Sequence, residues 1–196
     1  MEALPWEEIN IPNEELSEGD LEKAEAMGKL PAMKFRGACR SSYPQEIKVD
    51  AYTCYGANLK WEVLDLYKIE EIGKSTKGKT VYRDPTDTEK DTYEGRFVFD
   101  TVRLPHPKEK EGMKNRRLLI ATRCKLIKKD ARAIPVDAWR YGIIDKEAII
   151  TTERNYWIDE KTNEEKNNVK IAFDGYEAIG NASNSTPPAG ALPDDI

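Results

Sequence analysis

From Ala32 onward, apolar residues recur at every second position, the repeat of a strand that buries one face. In residues 32–43, Met33, Phe35 and Cys39 fall on one side and Lys34, Arg36 and Arg40 on the other. Residues 46–55 repeat the alternation more weakly through Ile47, Val49 and Ala51. Whether 32–55 forms one bent strand or two stays open at this level. In 58–70, Leu59, Trp61 and Val63 share a face before Leu64 and Leu66 take over. A phase change inside one strand predicts a bulge near Val63–Leu64, and the first face places Trp61 in the core. Residues 71–93 carry Gly73, Gly78 and Pro85 and read as a long exposed loop. Strands are also expected at 95–104, 147–158 and 168–179, the last two joined by the polar hairpin link 159–167.

Only one long stretch keeps helical time. Met113, Ile120, Cys124 and Ile127 recur at helical spacing over 111–129, and a short helical turn is expected at 136–141. The order is three strands, a helix, then two strands. It predicts a mainly β chain: a five-stranded OB-type barrel with a helix between strands 3 and 4. A sandwich would need more strands, and a doubly wound sheet needs crossover helices between strands.

Charge is unevenly distributed. Residues 1–25 hold eight Glu, Asp20 and Lys23, for −8; residues 180–196 hold only Asp194 and Asp195, for −2. The whole chain carries −5, which leaves +5 for residues 26–179. The expected organisation is an acidic N-terminal extension over 1–30, with a short helix starting at Ser17, then a nucleic-acid-binding OB domain over 31–180. A flexible acidic-tipped tail rich in Gly, Pro, Ser and Asn follows over 181–196. A basic body with acidic appendages suits a polyanion ligand, and tails that only aid solubility would leave the same pattern. The first residues predict no secretory leader, and no apolar run is long enough to cross a membrane. Cys39, Cys54 and Cys124 stand at no metal-ligand spacing, which suits a reducing cytoplasm.

The stretch from Ile144 to Asn155, the polar link 160–168 and Val169-Lys-Ile-Ala-Phe-Asp-Gly-Tyr resemble the C-terminal half of a family of phage-encoded replication-module proteins. Leu59-Lys-Trp-Glu-Val-Leu-Asp and Tyr93-Glu-Gly-Arg-Phe-Val-Phe-Asp look like that family's preceding strands, and Gly95 and Gly175 read as turn or bulge positions. The resemblance spans about residues 30–180. It implies a single-stranded-DNA-binding OB fold in the host cell cytoplasm. The loop 71–93 and the acidic head depart from the family pattern. The end of the chain, Leu192-Pro193-Asp194-Asp195-Ile196, looks like the acidic tip of bacterial-type single-strand binders, with fewer acids and no closing Phe. That likeness implies docking of Asp194, Asp195 and Ile196 on a polymerase, primase or helicase.

Sequence-independent binding of single strands needs cations for phosphates and aromatic faces for bases. The expected cations are Lys34, Arg36 and Arg40 on the first strand, Arg96 and Arg103 flanking the third, and Arg154 and Lys170 on the closing hairpin. Expected stacking rings are Tyr43, Tyr52, Tyr55, Tyr82, Tyr93 and Tyr156, each of which also fits a half-buried strand position. Lys74, Lys77 and Lys79, with Tyr82 and Tyr93, make the loop a candidate strand clamp. No catalytic residue, cofactor or metal is expected. His106, the lone histidine, sits in the rigid turn Leu-Pro-His-Pro, and no phosphate-cradling glycine loop is present. A protein-interaction or virion structural module on the same barrel is the first alternative. A small metal-dependent nuclease, with Asp100 as its carboxylate, is the second.

Overall fold

The strand that starts at Met33 continues to Val49 as a single element, β1 (Met33–Val49), and pairs as a hairpin with β2 (Tyr52–Glu70). A computed structural model describes residues 30–49, 52–76, 79–128 and 130–180. The helix expected near Ser17, the tail with Asp194, Asp195 and Ile196, and Lys77 lie outside the described residues. Val49 pairs with Tyr52, so the weak strand expected over 46–55 is the tip of this hairpin rather than a strand of its own. Three register shifts bend the pair. On β2, Leu64 and Tyr67 are the extra residues; on β1 it is Arg40. The phase change at Val63–Leu64 is the first of these bulges.

Both outer flanks of the hairpin are extended. β3 (Tyr82–Arg83) and β4 (Phe97–Arg103) pair with β2, and β5 (Glu147–Ile158) pairs with β1 and with β6 (Glu165–Glu177). The result is one antiparallel sheet of six strands, one more than expected, and mainly β as read. The sheet is not closed: β4 and β6 are edges, and no backbone ladder joins them among the described residues. Phe35, Leu59, Trp61, Leu66, Ile150 and Tyr176 are fully buried on its inner face. Each such side chain contributes about 1.5–3 kcal/mol of burial free energy.

Side chains bridge what the backbone leaves open. The Tyr176 hydroxyl donates to Asp100 Oδ2 at 2.6 Å, and Arg116 Nη2 donates to the same oxygen at 2.7 Å. Trp61 meets the Tyr176 ring edge-on, centroids 5.6 Å apart. Burial holds the Tyr176 phenol well above its usual range, with the Asp100 carboxylate adding to the shift, so it donates as a neutral group. Where β1 starts, β2 and β5 face each other across a second polar lock. Glu70 is buried; it accepts from Arg154 at 2.6–3.0 Å and from the Ala32 amide at 3.1 Å. Thr152 Oγ1 beside it accepts from the Met33 amide at 2.7 Å.

Helix α2 (Glu111–Arg123) lies between β4 and β5 and buries Arg117, Ile120 and Ala121. It stops six residues short of the expected end. Lys125 takes a left-handed backbone (φ 55°), and the amides of Lys125 and Leu126 return to Thr122 and Ala121 at 3.1 and 2.8 Å. That is a Schellman ending with lysine in the place glycine usually holds. A π-helical turn at Ala138–Gly142 matches the expected short turn and buries Trp139. The segment 71–93 is only partly a loop, because it contains β3 and helix α1 (Asp87–Tyr93). Thr86 and Glu89 close a capping box at the head of α1. Among the described residues, no helix is long and apolar enough to cross a membrane.

Candidate nucleic-acid interface

The stripe expected on β1 does face outward, but its cations are paired. Lys34 meets Glu177 at 2.6 Å and Arg36 meets Glu147 at 3.4 Å; Arg40 holds Glu62 at 2.5 Å and Asp145 at 2.8 Å. The hydrogen bonds Arg40 donates to Glu62 and then to Asp145 raise its pKa further. Arg154 is engaged by Glu70 and by Asn167 at 2.7 Å, so its guanidinium ties strands together. In the 71–93 segment, Lys74 pairs with Glu71 at 2.6 Å, exposed Lys79 bridges to Thr76, and Tyr93 is half-buried in α1. Tyr82 donates its hydroxyl to the Thr152 carbonyl at 2.5 Å. None of these residues lines the clefts described next.

On the outer face of β2 and β4 the arrangement differs. Phe97 and Phe99 stand two apart on β4 and point to solvent, 38% and 54% exposed. Lys60 lies directly opposite Phe99 in the register, and its ammonium sits 3.8 Å from the centroid of the Phe97 ring. Lys60 has no carboxylate partner among the described residues. Further along, Asn58 donates to Gln45 Oε1 at 2.9 Å, and Thr101 reaches the same oxygen at 3.4 Å. Arg103 ends the outward series 97, 99, 101, 103 with no ion pair among the described residues, while Arg96, half-buried, precedes it at the other end of β4.

At the open seam between β4, β6 and α2 lies a cleft of about 260 Å³ lined by Arg103, Arg116, Arg117, Lys170, Met113 and Phe173, with Asp100 at its back. Arg117 is held bidentately by Glu109 at 2.5 Å and donates to the Arg103 carbonyl at 2.9 Å. That guanidinium keeps the Glu109 carboxyl below its ordinary range. Arg116 is fixed by Asp100. Among the described residues Lys170 reaches only Glu153, at 3.7 Å, and is half exposed. The ring comes from an irregularity. Between its pairings with β5, β6 advances from Tyr176 to Ile171 while β5 advances from Ile150 to Thr152, so β6 loops out. Gly175 permits this, because a Cβ there would lie 2.4 Å from the Thr151 carbonyl. Phe173, on the loop, is 49% exposed.

Two expected site residues, Arg103 and Lys170, therefore meet in one cleft. Tyr43 lines a separate apolar cleft of about 280 Å³ with Pro44, Leu104, Val136 and Trp139. Tyr52 stacks on His106, centroids 4.3 Å apart and rings 12° from parallel; Tyr55 is exposed and Tyr156 half-buried. The sequence reading missed Phe97, Phe99, Lys60 and Phe173. The signal was the outward phase of Phe97 and Phe99, set by buried Val98 and Val102 between and beyond them.

Cys39 and Cys124 are buried, and burial pushes both thiols up to about 12. Asp100, the carboxylate considered for a nuclease, is held by a guanidinium and a phenol. No cluster of three or more His, Cys, Asp or Glu able to hold a metal occurs among the described residues. No protein-family model, curated protein or solved structure matches the chain.

Proposed function

We propose that the chain is a non-enzymatic, sequence-independent single-stranded-DNA-binding protein, its open sheet a partly closed OB-type barrel. The long strands run in the order β4-β2-β1-β5-β6 with α2 between β4 and β5, which is compatible with such a barrel. OB folds bind oligonucleotides on the face of their second and third strands. Here those strands are β2 and β4. The observation that carries the reading is on that face: two solvent-facing phenyl rings, a lysine set against one of them and an arginine beyond, neither cation with a carboxylate partner among the described residues. Phenyl rings accept any base by stacking, at about 1–3 kcal/mol each, and the cations meet phosphates without reading sequence. A role in a phage replication module, with the C-terminal segment recruiting a polymerase, primase or helicase, belongs to the same proposal.

The test is a titration of the full chain with labelled oligo(dT), with and without magnesium. Binding that weakens steeply with salt, and by about 5- to 150-fold on Phe99→Ala, supports the proposal. No binding would favour a protein-interaction module, and shortening of the oligonucleotide with magnesium would mark a nuclease.

A further inference from the structure

The seam cleft is separate from the β2–β4 face but begins where that face ends, at Arg103. We infer that it is a second subsite for the same ligand. It takes a nucleotide of the strand as it leaves the β2–β4 face, with phosphate on Arg103 and Lys170 and the base on Phe173. This rests on the single-strand reading above.

Four features support it. The first is continuity. Arg103 belongs to the same outward series as Phe97 and Phe99, and at ~3.4 Å per residue the series spans about 20 Å. A strand stacked on both rings is led to the mouth of the cleft.

The second is division of labour among the cations. Arg116 and Arg117 are immobilised and charge-balanced by Asp100 and Glu109, so they form a fixed polar wall. Among the described residues Arg103 has no ion pair and Lys170 has only a long one, to Glu153 at 3.7 Å, and both remain able to grip a phosphate.

The third is the ring. Regular pairing of β6 with β5 would have no looped residues; the irregularity at 172–175 instead presents an apolar ring to solvent beside those cations. One edge of the ring packs near Gly112 at the start of α2, and its exposed surface is left for a base. The fourth is size. About 260 Å³ equals the volume of roughly nine liquid waters, room for one base or one phosphate with its sugar.

The experiment measures affinity of the full chain for an oligo(dT) series from about 4 to about 16 nucleotides, the range of OB-fold site sizes. The variant Lys170→Ala/Phe173→Ala changes two exposed side chains and leaves the Asp100–Arg116 and Glu109–Arg117 pairs intact; an unchanged urea midpoint checks its fold. For the natural chain, affinity should climb across the series. The variant should match it on the shortest strands, reach its plateau early, and bind the longest about 5- to 150-fold more weakly. Its salt slope on long strands should fall by about 0.7 for the lost phosphate contact. Equal loss at every length, or no loss at any, overturns the inference. Phe97→Ala/Phe99→Ala separates the two levels of the argument, because it should weaken binding at every length. If that variant is impaired while Lys170→Ala/Phe173→Ala behaves as the natural chain, only the second subsite falls. If the natural chain binds no strand of any length, both readings fall.

Discussion

The β1 stripe and the seam cleft are built from the same residue types and end in opposite electrostatic states. On the stripe, each of Lys34, Arg36 and Arg40 faces a carboxylate on a neighbouring segment. In the cleft, two arginines are fixed by acids; of two further cations, Arg103 has no ion pair among the described residues and Lys170 has only a long one, to Glu153 at 3.7 Å. Exposure alone therefore does not make a cation available to a phosphate. What decides is the residue across the sheet. The acids that cover Arg36 and Arg40 include Glu147 and Asp145, 111 and 105 positions away in the chain.

The comparison breaks most readily at the paired cations, which should matter for stability in the cleft and hardly at all on the stripe. Asp100→Ala leaves Arg116 and the Tyr176 hydroxyl unpaired where the side chains are only about a tenth exposed. A buried charge stripped of its partner costs about 3–5 kcal/mol, and the partial access of Arg116 to the cleft places this case near about 3 kcal/mol. Arg36→Ala removes a solvent-exposed pair and should change stability by less than about 0.5 kcal/mol. Urea unfolding of both variants measures the difference. Equal midpoints would mean that the seam is not held by this network.

Period-two alternation made most of the sheet legible, because it reports only which face is buried. Trp61 in the core, the bulge at Leu64, the lone long helix and the closing hairpin all follow from local pattern. Long-range partners do not. Nothing near Arg154 in sequence announces that Glu70 will bury itself against it, or that Tyr82 will donate to Thr152. The short helix α1 was readable in another way: Thr86-Asp-Thr-Glu89 is a capping-box pattern directly after Pro85, hidden by the polar composition around it. Attention to tyrosines as stacking rings passed over Phe97 and Phe99. Their exposure depends on β4 having an outer face that no other described element covers, and that is a property of topology rather than of residue type.

A moderate effect should come from uncovering the stripe. The substitutions Glu62→Gln, Asp145→Asn and Glu147→Gln remove the acids that cover Arg36 and Arg40 while keeping size and polarity. Asn tolerates the left-handed backbone of Asp145 (φ 57°). If pairing is what silences Arg36 and Arg40, the triple variant should bind oligo(dT) about two- to fivefold more tightly at low salt. Each newly available phosphate contact should steepen the salt dependence by about 0.7. Fluorescence anisotropy across a salt series reads both quantities. An unchanged slope would show that the stripe lies off the path of the strand whatever its charge.

The smallest effect concerns a pair that is neither stripe nor cleft. Arg83 holds Glu89 bidentately at 2.5 and 2.8 Å, while Glu89 also accepts from the Thr86 amide at 2.8 Å. The Arg83 hydrogen bonds, aided by those of Thr86 against the opposing effect of burial, lower the Glu89 carboxyl from 4.5 to about 2. A carboxyl depressed in the folded state stabilises the fold fully above its unfolded pKa, and that contribution fades as pH falls toward the folded value. The window is therefore between about 4.5 and about 2. Glu89→Gln keeps an acceptor for the cap and loses the charge. Solvent screening of this half-exposed pair keeps the effect small. The variant should melt about 1–2 °C lower than the natural chain at pH 7. The two melting curves should converge as pH drops through that window, because the natural chain then loses the same interaction. Curves that stay parallel down to the acid limit would assign the stabilisation to the capping geometry and not to the charge shared with Arg83.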